Sequence, residues 1–304
     1  MRRYTLRQLD TFLEVARHLS VSQAADVLHV SQPAVSMQMH QLEEAIGGVP
    51  LYEPLGRKIR LTDAGHDFQL YASAAVAQLK QMEDAMAERR GLKKGTVHLA
   101  MVSTAKYFVP MLLMRFRQRF PDIEVVLQIC NREQITQLLA RNETDLVIMG
   151  RAPDNIDCVA SAFATNPLGV ISSPEHRLSR RRAAPLSVLD GEDFVVRESG
   201  SGTRHAMERL FAEHAVTPRI VMEMPSNETI KQAVMAGMGL SFLSLRTIRH
   251  EVASGHLVLL DIDGLPLVRH WHITHLTAKR LSPAAREFKA FLIDEAGPLI
   301  KLWA

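Results

Sequence analysis

The stretch SQAADVLHVSQPAVSMQMHQLE, residues 22–43, holds two short helical patterns with only about three residues to turn between them. Neither pattern is long enough to bury a core of its own, so the pair must brace something else. Upstream, Leu6, Leu9, Leu13 and Ala16 recur at helical spacing and Phe12 widens the stripe, which predicts a first helix. Ser22 is placed to cap the second helix, where Ala24 and Ala25 allow close backbone approach. Ser31 is placed to cap the third, with Pro33 in its first turn. Val35, Met39, Leu42 and Ile46 give that third helix one apolar stripe, and Gly47 and Gly48 end it.

Only the back of the third helix is needed for packing. Its front carries Gln32, Ser36, Met37 and His40, with the N-terminal end facing outward. A recognition helix enters a major groove in this way, braced by the helix before it. Gln and Ser can read base edges, and a helix N-terminus can hold a phosphate. The DNA-contacting set expected here is Ser31, Gln32, Pro33, Ala34, Ser36, Met37 and His40. LYEPLGRKIRLT follows, two β-like runs around Gly56, with Arg57, Lys58 and Arg60 placed like the cations of a wing along phosphates.

Thr62 then starts a long helical pattern to about Arg90, with Phe68, Tyr71, Ala75, Leu79, Met82 and Met86 spaced as a heptad-like seam. A seam of that kind implies pairing with a second copy.

The matching stretches are LRQLDTFLEVA, SQAADVLHVSQPAVSMQMHQLEEAIG and PLYEPLGRKIRLTDAG. In these the chain resembles the DNA-binding half of LysR-type transcriptional regulators. It departs from the pattern at Met37 and His40, where many members carry Arg or Lys. It departs again at Pro54, which is expected to break the wing strand.

RRGLKKG, residues 89–95, reads as a basic hinge, and after it strands and helices alternate. TVHLAMV, IEVVLQIC and DLVIMG read as strands, with STAKYFVPMLLMRFRQRF and NREQITQLLARNE as helices between them. A second block repeats the alternation, and RHWHITHL with the helix from Pro283 returns to the first. The expected fold is α/β and multidomain: an N-terminal winged helix-turn-helix, a linker helix, and two α/β lobes with a mostly parallel sheet. The expected boundaries are 1–62 for the DNA-binding domain, 63–91 for the linker and 92–304 for the effector domain. Its first lobe is 92–165 plus 267–304, and its second is 166–266.

Ligands of open α/β sheets sit at the carboxyl ends of strands. Small polar residues open four helices there: Ser103 and Thr104, Asn131, Ser201 and Thr203, and Asn227. With the cations Lys106, Arg132, Arg151 and Arg204, they form the expected site for a small anionic effector. Ser, Thr and Asn also cap helices with no ligand involved, which is their commonest task. The resemblance extends more loosely over this half. It implies a two-lobed effector domain like that of periplasmic binding proteins. VSTAKYFVP, NRE, DLVIMGR and SGSGTR look most like the subgroup controlling Calvin-cycle carbon-fixation operons, whose effectors are phosphorylated or redox-linked metabolites. A regulator of aromatic or amino and organic acid metabolism is the alternative within the family.

Other classes find less support. Net charge is +3, and Cys130 and Cys158 are the two cysteines, too few for a disulfide scaffold. MRRYTLRQLDTF has no apolar export core, and no apolar run is long enough for a membrane span, so a cytoplasmic protein is expected. His270, His272 and His275 could begin a metal site for an enzyme, but no fourth ligand is near in sequence. The sequence shows no nucleophile elbow or P-loop, so no catalysis and no cofactor is expected. The partners implied are double-stranded promoter DNA, further copies of the chain in a dimer or tetramer, RNA polymerase, and a small anionic effector, with no membrane.

Overall fold

A computed structural model of the chain describes residues 4–55, 58–89 and 95–302. It divides into two compact units, residues 1–90 with 140–143, and residues 91–139 with 144–304.

In the first unit, α1 (Leu6–His18), α2 (Val21–Val27) and α3 (Gln32–Ala45) pack around Phe12, Val15, Val35, Met39 and Leu42, all fully buried. The face of α1 turned inward is Gln8, Leu9, Thr11, Phe12, Val15 and Ala16. Leu6, expected in the stripe, lies off that face and is exposed. The second helix starts two residues earlier than expected. Ser20 is its N-cap, accepting from the Gln23 amide at 3.3 Å, while Ser22 lies inside the helix and donates to Gln32 Oε1 at 3.3 Å. Ser31 occupies the N-cap position of α3, but its side chain makes no capping bond. His29, at φ 53°, takes the left-handed turn that lets α3 follow α2 so closely.

The wing is an antiparallel ribbon of β1 (Tyr52–Leu55) and β2 (Lys58–Leu61). Pro54 does not break it: the strand runs through this residue, which sits opposite Ile59. A two-stranded ribbon has an open edge on each strand, where a missing N–H costs no ladder bond. α4 (Asp63–Arg89) follows, with the Thr62 hydroxyl accepting from the Gly65 amide at 3.0 Å. Gly65 allows the close approach of α4 to the wing, since a Cβ there would stand 1.9 Å from the Leu51 carbonyl oxygen. The first turns of α4 pack on the domain through Phe68 and Ala72, with the Phe12 and Phe68 rings edge to face at 5.0 Å. Tyr71, on the other side of those turns, and Met82 and Met86, further along, are exposed. Of the basic hinge, residues 90–94 lie outside the described residues.

The second unit holds two cores. In the first lobe β3 (Gly95–Val102) runs parallel to β4 (Ile123–Cys130) and to β5 (Leu146–Met149). Alternation along β3 sends Val97, Leu99 and Met101 to one face. There they meet α5 (Val109–Arg119) and α10 (Pro283–Phe291), with the Phe116 and Phe288 rings 4.8 Å apart. Ala100 faces the other way, toward Ile135 and Leu139 of α6 (Arg132–Ala140). The stretch expected as one helix from Ser103 is two elements, a 3-10 turn (Ser103–Tyr107) and then α5. Pro110, at the start of α5, suits a helix beginning and not a helix interior.

In the second lobe β7 (Asp193–Arg197) and β8 (Arg219–Met224) are parallel, and α7 (Gly202–Glu213) and α8 (Asn227–Met235) cover the two faces. The lobes are joined by strands. β6 (Cys158–Ser172) and β11 (Leu267–Leu276) pair antiparallel along their length and pass from one core to the other. β6 also pairs antiparallel with β9 (Ser241–Ser244) and with β10 (Val258–Leu259), so the large sheet is mixed where a mostly parallel one was expected. The remaining helices are α9 (Arg249–Ala253) and α11 (Gly297–Leu302).

Candidate DNA interface and effector cleft

In the first unit, the front of α3 is exposed at Gln32, Pro33, Ser36, Met37 and His40, with Ser31 exposed ahead of it and Ala34 half-buried. His40 Nε2 stands 3.5 Å from Glu44 Oε1, one turn along, so it is partly engaged on its own helix. Arg60 is exposed but paired: its Nε donates to Glu53 Oε1 across the ribbon at 2.6 Å. Arg57 and the side chain of Lys58 lie outside the described residues.

In the second unit, β3, β4 and β5 are parallel, so their carboxyl ends open on one side. Each ends in a different element: β3 in the 3-10 turn at Ser103, β4 in α6 at Asn131 and β5 at Gly150. Opposite them are the end of β7 and the start of α7. The result is a cleft between the two lobes, open to solvent. Seven of the expected residues line it: Ser103, Thr104, Asn131, Arg132, Arg151, Ser201 and Thr203. Two of these also cap helices. Asn131 Oδ1 accepts from the Gln134 amide at 2.9 Å, and Ser201 Oγ accepts from the Thr203 amide at 3.2 Å.

Three expected residues are not brought to the cleft wall. Lys106 points to Glu228, 3.7 Å away. Arg204 pairs with Glu208 at 2.5 Å, one turn along α7. Asn227 stands behind the wall, where its Oδ1 accepts from Arg197 Nη1 at 2.7 Å. In each case a partner nearer in the fold takes the group.

Four charged or amide residues of the cleft escaped sequence reasoning: Asn166, Arg197, Glu198 and Arg269. They lie on or beside strands, whereas the search was for polar residues opening helices. Arg197, the last residue of β7, was legible as a strand's carboxyl end. Nothing in the local sequence singles out Arg269, which reaches the cleft because β11 pairs it with Asn166 of β6.

The charges in the cleft do not balance. Arg197, 4% exposed, is held by Glu198 on two nitrogens, at 2.7 and 2.8 Å. Arg151 is held by Asp154 at 3.0 Å. Arg132 finds only carbonyls, of Arg151 at 2.5 Å and Ala152 at 3.4 Å, and Arg269 only that of Gly202, at 3.2 Å. Among the described residues, neither meets a carboxylate. Burial, with Arg151 beside it, holds the Arg132 guanidinium below its ordinary value, although Asp154 opposes this. Burial, with Arg209, Arg132 and Arg151, does the same to Arg269. Two partly buried cations that repel each other, beside the starts of two helices, would be relieved by an anion.

The histidines are not gathered. His270 and His272 stand 6.5 Å apart by ring centroids, and His275 Nε2 faces Lys289 Nζ at 3.0 Å. Among the described residues, no three His, Cys, Asp or Glu side chains are placed to hold a metal. Cys130 and Cys158 are free, and burial pushes both thiols up, away from the reactive thiolate. No helix of the described residues is long and apolar enough to cross a membrane.

Residues 6–66 match the bacterial regulatory helix-turn-helix protein, lysR family, and residues 90–297 match the LysR substrate binding domain. The chain is 47% identical over 292 residues to a RuBisCO operon transcriptional regulator of Allochromatium vinosum, covering 96% of each. It is 44% identical over 305 residues to the HTH-type transcriptional activator CmpR of Synechocystis, covering 100% of both. Among solved structures, the Synechocystis CcmR regulatory domain in complex with 2-PG is 43% identical, with a TM-score of 0.64 over 66% of this chain and 96% of that one.

Proposed function

The chain belongs to the LysR family of transcriptional regulators, and from that premise we propose that it controls a carbon-fixation operon in response to a small phosphorylated or carboxylated anion. The observation that carries the effector reading is the uncompensated pair Arg132 and Arg269 in the cleft. Ser103, Thr104, Asn131, Arg151, Ser201 and Thr203 would orient the anion by hydrogen bonds, and Arg197 with Glu198 would hold the floor. The names of the relatives support the target, and the 2-PG bound to CcmR supports a compact phosphorylated effector. Activation is the favoured sign, as CmpR is named an activator.

In this reading residues 1–62 bind promoter DNA, 63–91 pair subunits and 92–304 sense the effector. Gln32 and Ser36 would read base edges, and the exposed Met37 would pack on a thymine methyl. Two apolar surfaces support self-association: Tyr71, Met82 and Met86 on α4, and the edge strands, exposed at Val126 and Ile129 on β4 and at Ile220, Val221 and Met222 on β8. Dimers paired into a tetramer would place recognition helices in successive major grooves. Ligand can change that assembly only by binding one arrangement better than another. The protein acts in the cytoplasm and engages RNA polymerase at the promoter.

Calorimetric titration of the full-length protein with 2-PG tests the effector reading. The expected result is saturable binding that weakens about tenfold or more in Arg269→Gln, the effect of losing a charge-assisted bond. Failure of 2-PG and a panel of phosphorylated and carboxylated metabolites to bind, or equal binding by Arg269→Gln, would reject it.

A further inference from the structure

The sheet of the first lobe has an end that the cleft does not use. β3, β4 and β5 meet the cleft at their carboxyl ends, and β11 runs antiparallel to β5, so the last residues of β11 lie at the opposite end of the sheet. Along β11, His275 stands roughly 20 Å from Arg269 of the cleft. There His275, the chain that follows it and α10 form a shallow groove, open to solvent. Lys279, Arg280, Arg286 and Lys289 line it, and among the described residues no carboxylate does. Leu281, Ala290 and Ile293 supply its apolar part.

The four cations are not alike. Lys279 is matched: its Nζ lies 2.9 Å from Asp145 Oδ1 and donates to the Thr144 carbonyl at 2.8 Å. Arg286 donates from Nη1 to the Leu281 carbonyl at 3.0 Å. Lys289 Nζ meets His275 Nε2 at 3.0 Å, and among the described residues it has no carboxylate within ion-pair distance. His275 is 8% exposed, and its Nδ1 lies 3.0 Å from the Leu276 carbonyl. A carbonyl oxygen only accepts, so Nδ1 carries the ring proton and Nε2 offers its lone pair to the Lys289 ammonium. Lys289 is thus oriented by a neutral group, with its charge unmatched and further N–H donors to spare. Burial lowers this amine from its ordinary value, as for a cation lacking an anion. Arg280 is exposed and has no hydrogen-bond or ion-pair partner among the described residues.

We propose that this groove is a second anion site, taking the phosphate group of a small molecule between Lys289 and Arg280, with the ligand's body on Leu281 and Ile293. Two unmatched cations select the charge. A carboxylate would answer one of them, whereas a phosphate monoester near neutral pH carries close to two charges and answers both. The guanidinium fork of Arg280 can bind two phosphate oxygens at once, and Lys289 acts as a point charge. An apolar surface with a few placed polar groups is the usual composition of a small-molecule site. The position also separates this site from the cleft in effect. α10 packs on the start of β3, where a Cβ at Gly95 would stand 3.2 Å from that of Ala284. Gly95 is the first described residue after the hinge, so an anion on α10 bears on the segment by which the chain enters the effector unit.

The test is calorimetric titration of the full-length protein with pyrophosphate, carried out in Arg269→Gln so that the cleft contributes little. Pyrophosphate should bind, and adding Arg280→Gln should weaken that binding about tenfold, as for losing one charge-assisted contact. Arg280 is exposed, so its replacement leaves the fold intact. Acylation by acetic anhydride, mapped by peptide mass spectrometry, reads the site itself. Pyrophosphate should protect Lys289, and at the same concentration that protection should be lost in Arg280→Gln. Absence of pyrophosphate binding, equal binding after Arg280→Gln, or an unprotected Lys289 would each overturn the proposal. If Arg280→Gln weakens binding to random DNA and leaves pyrophosphate binding unchanged, the groove serves the phosphates of DNA and the proposal also falls. If 2-PG fails to bind, the cleft reading falls while the Arg280→Gln comparison still decides the groove.

Discussion

Arg197 donates from Nη2 to the Ser103 hydroxyl at 3.1 Å, and the two residues belong to different lobes of the second unit. The same guanidinium holds Glu198 and Asn227, so one buried side chain ties the cleft floor to both walls. Replacing Arg197 by Leu leaves a carboxylate and an amide without partners. The expected loss is about 3–5 kcal/mol, as for removing one partner of a buried ion pair. For a unit of this size that is a fall of roughly 6–20 °C in its unfolding temperature, measurable by scanning calorimetry. A fall of under about 2 °C would show that Arg197 does not carry the junction.

The seam on α4 makes a separate prediction. Met82 and Met86 are exposed on a helix of 27 residues, about 40 Å long. Replacing both by Glu keeps helix propensity but places charge in an apolar contact. Sedimentation should show weaker self-association, and dimers of unchanged strength would place the interface elsewhere.

The DNA-contacting surface divides by chemistry. Gln32→Ala or Ser36→Ala should narrow the gap between specific and non-specific affinity, each lost base contact being worth about 1–3 kcal/mol. Lys58→Ala should weaken binding to all DNA and reduce the salt slope by about 1. Titrations on operator and random DNA at several salt concentrations separate the two. Identical effects on both DNAs from all three variants would contradict the assignment of α3 as the reading helix.

Stability of the effector unit should fall on mild acidification. Burial, with Lys289 and Lys279 close by, lowers His275 from its ordinary 6.5, and burial also lowers His272. As pH drops through about 6.5 the unfolded chain takes up protons that the folded chain refuses, so stability declines below this pH and is level above it. The unfolding temperature at about pH 5.5 should lie below that at about pH 7.5, and His275→Gln should flatten the difference. An unchanged slope in that variant would remove His275 from the account.

The helix pair and its exposed front were legible because the periodicity of Val35, Met39 and Leu42 is strong and two glycines end α3. The cap of α2 was displaced because Ser20 and Ser22 both fit the pattern, and only packing of Ala24 and Ala25 sets the start of the helix. In the second unit, strand ends with small polar residues pointed to the cleft. The first part of β6 is not legible as a strand, since ASAFATNP has weak alternation and a proline. Its pairing comes from β11, about a hundred residues away, through contacts no local pattern records. Arg269 was missed for the same reason. Lys106, Arg204 and Asn227 were expected at the cleft from chain position, but Glu228, Glu208 and Arg197 engage them and they do not line it.

The most direct test of the account is a DNase footprint on the DNA flanking the chain's own gene, with and without 2-PG. A roughly palindromic protected site that shortens, or loses a hypersensitive band, when 2-PG is added is the predicted result. A footprint unchanged by 2-PG and by every other phosphorylated or carboxylated metabolite would contradict the claim that the cleft controls how this protein holds DNA.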